Sequence, residues 1–464
     1  MPPEDTIVAL ATPPGRGGLG VVRLSGTRSI EIATCLIRFP KLPLETQRAA
    51  LGELVEPASG RVLDQVVVTC FRAPHSYTAE DVVEISCHGA PVILNYLVEQ
   101  CLAQDARAAE PGEFTMRAFL NGRLDLTQAE AVRDLIESRT LYQARVAAQQ
   151  MEGSVSARLK PHKQVLLELI AKLEAGIDFA EDDVPVSGWD EIALSIERIQ
   201  ADLSKLAEGY SYGRMVREGL SLAIVGRPNV GKSSLFNCLL NEDRAIVTAT
   251  PGTTRDLVSE SASVSGIPLR FVDTAGIREA LDEAEKIGVQ KSMQAVADSD
   301  LRLLAVDASE PWTEEDSRLL EKIQPLGALL VAANKADLPA KIASSDLEAH
   351  LARSGDAGKT RVVRTSALNG EGIHELREAI LEVAVPAHGT GGETTFITNL
   401  RHQQLIQNSL AALTKAREAA GKHVHHEMLL LDLYDALRPL DQITGKTGVE
   451  DILDVIFSTF CVGK

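Results

Sequence analysis

The chain has 464 residues, 45% of them hydrophobic and 24% charged, and carries a formal charge of -18. That length exceeds a single hydrophobic core and predicts two to four domains. The negative charge argues against coating nucleic acid by bulk electrostatics, which draws on clustered Lys and Arg, and aromatics at 4% are too few to predict a stacking platform for single strands.

The start, "MPPEDTIVALATPPGRGG", lacks a basic segment followed by a long apolar core, and nowhere do eighteen apolar residues run together. Neither export nor a membrane span is expected. Six cysteines (35, 70, 87, 101, 238, 461) form no C-x-x-C pair, which fits a reducing, cytoplasmic setting. Residues 1–121 alternate β-type runs ("GVVRLSG", "DQVVVTCF", "DVVEISCHG") with a helical stretch near 91–103, predicting an α+β domain. From Leu124 the period becomes helical, with Thr127-x-x-Glu130 as the expected capping box, and helices are expected over 161–180 and 190–210. The acidic trio Glu181, Asp182 and Asp183 reads as a solvated helix end.

From Leu220 the pattern turns α/β: "LSLAIVG", "PLRFVDTAG", "RLLAVDAS", "ALLVAANKAD" and "RVVRTSA" alternate with helix-length segments, the rhythm of a mostly parallel sheet covered on both faces. Past the Gly-rich "HGTGGETT", helical periodicity returns to the end. The division predicted is 1–121, 122–217, 218–383 and 384–464: an α+β domain, then an α-helical bundle interrupted by an inserted α/β P-loop domain.

Gly226-Arg-Pro-Asn-Val-Gly231-Lys232-Ser233 follows an apolar strand and opens a helix, the setting a P-loop requires. There backbone N–H groups cradle phosphates, Lys232 neutralises the β and γ charges, and the Ser233 hydroxyl ligates Mg²⁺. Downstream, "TATPGTTRD" supplies Thr253 and Thr254, the latter a second Mg²⁺ ligand, and Asp273-Thr-Ala-Gly276 ends a strand, suited to the metal's surroundings and to the γ-phosphate. Asn334-Lys335-Ala336-Asp337 supplies base choice, since a carboxylate can accept from N1–H and the 2-amino group of guanine, while Ser366-Ala367 offers amides to the guanine oxygen. The set predicts a GTPase. Ile277 stands where Ras-type enzymes carry the water-orienting glutamine, so another group must serve, with Glu279, Asp282, Glu283 and Glu285 as candidates that spacing does not separate.

"TIVALATPPGRGGLGVVRLSG", "SYTAEDVVEISCHGAP", "PGEFTMRAFLNGRLDLTQAEAVRDLI", "GRPNVGKSSLFN", "PGTTRD", "DTAGIRE" and the terminal "FCVGK" together resemble the MnmE (TrmE) family of bacterial tRNA-uridine modification GTPases, from near residue 6 to residue 464. The resemblance implies a tetrahydrofolate-binding, dimerising N-terminal domain, a discontinuous helical domain and an inserted Ras-like G domain. It implies a homodimer acting with a flavin-dependent partner, MnmG (GidA), which carries the FAD. Together they place an aminomethyl or carboxymethylaminomethyl group at C5 of the wobble uridine of certain tRNAs. GTP contacts would be Asn229, Val230, Gly231, Lys232, Ser233, Ser234, Thr248, Ala249, Thr250, Pro251, Gly252, Thr253, Thr254, Asp273, Thr274, Ala275, Gly276, Asn334, Lys335, Ala336, Asp337, Ser366, Ala367 and Leu368.

By the same resemblance Asn229, Thr248, Thr250 and Thr253 would hold K⁺, and Glu285 would orient water. A 5-formyl or methylene tetrahydrofolate would meet Arg23, Glu80, Arg123 and Lys464, bringing the tail back to the N-terminal domain. At 123 the family carries Lys as well as Arg, and Arg keeps the charge with a different donor fork. Cys461 matches the cysteine of the family's closing C-[IL]-G-K motif, implying a part in modification, against the plainer reading of a thiol that helps dock the tail. Cys461-Val462-Gly463-Lys464 is no prenylation box, because Gly463 and Lys464 fill the wrong places. The cluster His423, His425 and His426 reads as a solvated helix turn, Cys87 and His88 as neighbours on opposite strand faces, and "PPGRGG" as a turn. Competing functions are a ribosome-assembly GTP switch, against which the folate-type blocks speak, and a folate one-carbon transferase with a vestigial G domain, against which Lys232, Ser233, Thr254 and Asp273 speak.

Overall fold

A computed structural model describes residues 5–178, 188–241, 262–272, 293–353, 360–384, 396–446, 453 and 456–463. Among these the chain forms two sheets and divides into two compact units, one of Met1–Arg133, Gln149–Lys163 and Leu437–Lys464, the other of Asp134–Ala148 and Gln164–Ala436. No described helix is long and apolar enough to cross a membrane.

In the first unit, β1 (Ile7–Leu10), β2 (Gly20–Ser25), β3 (Ile37–Arg38), β4 (Ala49–Val55), β5 (Val62–Phe71), β6 (Val82–Cys87) and β7 (Arg107–Ala108) pair in the order β3-β4-β5-β6-β2-β1-β7. Only β1 and β7 run parallel; the other pairs are antiparallel. The alternating apolar residues of β2, β5 and β6 place Val22, Leu24, Val66, Val68, Val83 and Ile85 on one face. Helices Ser29–Leu36 and Pro91–Ala103 cover that face with Ile32, Leu36, Leu94 and Leu97, while Phe114 of the helix Glu113–Leu120 packs with Ile7 and Ala9 of β1 in a separate cluster.

The helix Leu126–Glu137 begins where the sequence turns helical, but its cap is not the expected one. Asp125 Oδ1 accepts from the Gln128 backbone N–H at 2.9 Å and Gln128 Oε1 accepts from the Asp125 N–H at 2.9 Å, a reciprocal box two residues upstream. Thr127 and Glu130 are buried inside the helix instead. The helix starts at Leu126, ahead of Thr127, so Asp125 takes the cap position, and its carboxylate also draws in the Thr127 hydroxyl at 2.6 Å. On this unit Leu126, Ala129 and Val132 pack with Phe457 and Phe460 from the chain's end.

In the second unit, β8 (Leu220–Val225), β9 (Ala262–Val264), β10 (Ile267–Val272), β11 (Leu301–Asp307), β12 (Leu329–Asn334) and β13 (Arg361–Arg364) pair in the order β13-β12-β11-β8-β10-β9. All pairs are parallel except that of β9 with β10. Every residue of β11 and β12 is buried, which explains why Leu303–Val306 and Leu329–Ala333 read as continuous apolar runs rather than alternating ones. The helix Trp189–Glu208 buries Ile192, Ile196, Ile199 and Leu203, and the helix Leu400–Gly421 lies against it with Ile406 and Leu413, tied by Gln200 Nε2 donating to Thr414 Oγ1 at 2.9 Å. Helices from before and after the inserted sheet therefore share a bundle.

Candidate functional site

The sheet of the second unit reverses its order at β8, with β10 on one side and β11 on the other. Open α/β sheets bind ligands beyond the carboxyl ends of strands at such a reversal. The P-loop leaves β8 there and enters the helix Lys232–Asn241. Asn229 adopts φ +65° with its side chain exposed, and Gly231 adopts φ +94°. A Cβ at Gly231 would stand 2.3 Å from Asn334 Nδ2, so only glycine fits beside the Asn334 side chain. Lys232 Nζ donates to the carbonyls of Gly226 at 2.8 Å and Arg227 at 2.7 Å, and Ser233 is exposed at the first helical turn.

Asn334, 2% exposed, is the hinge pin of this region. Its Nδ2 donates to the Val230 carbonyl at 2.8 Å, while its Oδ1 accepts from the Ala367 N–H at 3.1 Å. One amide thus fixes the phosphate loop against the "TSAL" loop. Ser366 Oγ donates to Asp337 Oδ1 at 2.5 Å, holding that exposed carboxylate in place with one oxygen committed. Lys335 pairs with Asp307 at 2.6 Å. Burial works against the charge of Asp307, but hydrogen bonds from Lys335 and Ser309 outweigh it and hold the carboxyl below its usual value.

A second cluster lies in the first unit, around the paired middles of β2 and β6. Arg23 faces Glu84 across the antiparallel pair, and its Nε and Nη2 donate to Glu84 Oε1 at 2.9 and 2.7 Å. The guanidinium carbon lies 5.8 Å from the Tyr77 ring centre and 5.7 Å from that of Phe114. Its Nη1 donates to the carbonyl of Gly463 at 3.2 Å. The tail is further held by a bridge between Pro111 and Val462 and by the Gly112 N–H donating to the Cys461 carbonyl at 3.4 Å. Glu80 accepts from Ser25 Oγ at 2.7 Å and from Arg117 at 3.2 Å. Arg117 is fully buried and also pairs with Asp5 and Glu113. Arg123 is exposed, and its side chain has no hydrogen bond or ion pair among the described residues.

Comparison with known proteins gives the family of the chain. A family model described as the MnmE helical domain matches residues 126–461, and one described as the GTP-binding protein TrmE N-terminus matches residues 6–123. The chain is 59% identical over 464 residues to the tRNA modification GTPase MnmE of Koribacter versatilis (strain Ellin345), with 99% of each chain covered. The chain belongs to the MnmE (TrmE) family of tRNA modification GTPases. It is also 43% identical over 463 residues to the protein of that name from Aquifex aeolicus (strain VF5), covering 99% of this chain and 100% of the other. With that of Acetivibrio thermocellus it shares 41% over 463 residues, 99% of both chains.

Against what MnmE membership leads one to expect, the structure brings Asn229, Val230, Gly231, Lys232, Ser233, Asn334, Lys335, Asp337, Ser366 and Ala367 to one end of one sheet. Leu368 stands 86% exposed at its rim. Thr248, Ala249, Thr250, Pro251, Gly252, Thr253, Thr254, Asp273, Thr274, Ala275, Gly276, Ile277, Glu279, Asp282, Glu283, Glu285 and Lys464 lie outside the described residues, as do Glu181, Asp182 and Asp183. The donor set present fits a nucleotide with Mg²⁺: an ammonium at Lys232, an exposed hydroxyl at Ser233 and a fixed carboxylate at Asp337. In the first unit Arg123 presents an exposed guanidinium, and Glu80 a half-buried carboxylate already bound to Ser25 and Arg117, chemistry that suits a ligand with carboxylates and N–H donors.

Arg227, Glu84, Tyr77, Phe114 and Arg117 escaped the sequence reading. Glu84 needed the β2/β6 register, which no local pattern gives, whereas Glu113 and Arg117 carry a readable signal, an i,i+4 acid–base pair inside an otherwise apolar helix. Cys87 and His88 separate: the Cys87 thiol is buried against the Gly20 carbonyl, and exposed His88 pairs with Asp64 at 2.6 Å. His423 and His426 lie against Trp189, with ring centres 5.4 and 4.7 Å away.

Proposed function

We propose that the chain is a GTP hydrolase, K⁺-dependent, that with a flavin-dependent partner adds an aminomethyl or carboxymethylaminomethyl group at C5 of the wobble uridine of certain tRNAs. The observation that carries the reading is the joint presence of the Asn334-pinned nucleotide loops and the tail seated on Arg23 in a chain that matches its family end to end. The domains are assigned as 1–121 for folate binding and dimerisation, 122–217 and 384–464 for the helical part, and 218–383 for the G domain.

In this reading Lys232 and the amides of Asn229 through Ser234 hold the phosphates, and Ser233 with Thr254 holds Mg²⁺. Asn229, Thr248, Thr250 and Thr253 hold K⁺. Bound Mg²⁺ and K⁺ supply positive charge where the phosphate oxygens gain negative charge, and the folate derivative supplies a one-carbon unit. Asp337 accepts from the guanine edge, with Ser366 fixing its orientation. Glu285 orients the attacking water in place of the glutamine that Ile277 replaces. Arg23, Glu80, Arg123 and Lys464 bind the folate derivative, and Cys461 serves the modification step rather than hydrolysis.

The test is nucleoside mass spectrometry of tRNA incubated with the full chain, the flavin-dependent partner, GTP and a tetrahydrofolate donor. A C5-modified wobble uridine is expected. It should vanish when residues 461–464 are deleted while GTP turnover persists; unmodified uridine with the intact chain under all these conditions would reject the reading.

A further inference from the structure

Arg227 sits in the second place of the P-loop run, and its side chain is turned away from the helix that the loop opens. Its Nε donates to Asp316 Oδ1 at 2.8 Å and its Nη2 to Glu310 Oε2 at 3.2 Å. The arginine side chain is 15% exposed and that of Asp316 only 2%, so the main contact is a charge-assisted bond largely shielded from water. Asp316 is itself immobile. Its Oδ2 accepts from the Thr313 N–H at 3.0 Å and the Thr313 hydroxyl at 2.8 Å, and its own N–H donates to Thr313 Oγ1 at 3.3 Å, a reciprocal cap on the helix Glu314–Ile323. One buried carboxylate therefore divides its two oxygens between a helix cap and the phosphate loop.

The backbone of the same arginine faces the chemistry. The Arg227 and Gly226 carbonyls both accept from the Lys232 ammonium. Moving the Arg227 backbone moves the seat of that ammonium. Asn334 secures the other side of the loop through Val230, so the loop is held between two buried polar anchors, one from β12 and one from the helix that follows β11. Base recognition explains the first anchor; nothing in phosphate binding requires the second.

We propose that Arg227 is a positioning residue of the GTP site. Anchored to Asp316, it fixes where the Gly226 and Arg227 carbonyls stand and so where Lys232 presents its charge to the β and γ phosphates. The inference rests on the GTPase reading only for the identity of the ligand: absent wild-type turnover would fail that reading, whereas normal Arg227 variants would fail this one.

The experiment uses the full chain with a fluorescent GDP analogue and GTP, comparing wild type, Arg227→Ala, Arg227→Lys and Thr313→Ala for nucleotide dissociation, KM, kcat and Tm. Arg227→Ala should raise the dissociation rate and KM about tenfold, the effect of losing a charge-assisted bond, with a smaller change in kcat. Arg227→Lys should recover part of this, because one ammonium can meet Asp316 without the fork that also reaches Glu310. Thr313→Ala removes a cap bond but leaves Asp316 Oδ1 to the arginine, so it should lower Tm with wild-type nucleotide kinetics. Unchanged dissociation and KM in Arg227→Ala overturn the proposal, as does a change that merely follows Tm across the three variants. Should Arg227→Ala fail to fold, Arg227→Gln, which removes the charge and keeps most of the stem, replaces it, and unchanged dissociation and KM there overturn the proposal equally.

Discussion

Arg23 and Gly463, 440 positions apart in sequence, are joined by a 3.2 Å hydrogen bond from the guanidinium to the tail carbonyl. The residue that accepts this bond must be glycine. Gly463 adopts φ +93°, and a Cβ there would stand 2.5 Å from the Leu10 carbonyl oxygen and 3.0 Å from Ala11 Cα. A side chain pays roughly 1–2 kcal/mol for the left-handed backbone alone. Gly463→Ala should therefore release the tail: trimming by a carboxypeptidase is expected to quicken severalfold while GTP turnover stays at the wild-type level. Equal trimming rates would show that the tail is not held by this contact.

The thiols divide by environment. Burial pushes Cys101 up to about 12, and burial together with the nearby Asp64 pushes Cys87 up to about 11, whereas Cys461 and Cys35 are exposed. Only the thiolate alkylates. Brief treatment of the native protein with iodoacetamide at pH 8, read by peptide mass spectrometry, should label Cys461 and Cys35 and spare Cys70, Cys87 and Cys101. Labelling of Cys101 ahead of Cys461 would contradict the packing described.

Glu113 ties stability to acid. Burial raises its carboxyl, but Arg107, the Glu110 N–H and Arg117 outweigh this and hold it below the ordinary glutamate value of 4.5. The unfolded chain therefore binds the proton first as pH falls. The stabilisation is full above about pH 4.5 and is lost as pH drops through the folded value. Glu113→Gln should flatten the fall of Tm between pH 5 and pH 3 relative to wild type, and a parallel fall in both proteins would argue against this ion-pair cluster. Arg117→Ala, which strands Asp5, Glu80 and Glu113 around a buried site, should cost about 3–5 kcal/mol at pH 7.

In the proposed function, base selection depends on the carboxylate at 337. Asparagine there would turn an N–H donor toward the N1–H donor of guanine, so Asp337→Asn is expected to lower kcat/KM for GTP by roughly two orders of magnitude and to improve the use of xanthosine triphosphate. Competition between the two nucleotides in a turnover assay measures it. Retained preference for GTP would place base recognition elsewhere.

The loops at this end of the sheet could be read as candidate nucleotide contacts because each is a contiguous run whose pattern depends on local order: Gly226 to Ser233, Asn334 to Asp337, Ser366 to Leu368. The strands "LSLAIVG" and "RLLAVDAS" could be read because parallel strands buried on both faces are mostly apolar in continuous stretches. The capping box was misplaced by two residues because Thr127-x-x-Glu130 and Asp125-x-x-Gln128 satisfy the same pattern, and the geometry selects the second. Glu84 beside Arg23 and Asp316 beside Arg227 could not be read at all. Each pairing is set by sheet register or by packing between elements 61 and 89 residues apart.

The measurement that bears most directly on the account is GTP turnover in K⁺ against Na⁺ at equal ionic strength, for wild type, Asn229→Ala and Glu285→Ala. The account predicts strong stimulation of the wild type by K⁺ and its loss in both variants. Equal rates in the two salts, or full K⁺ stimulation in Asn229→Ala, would contradict it.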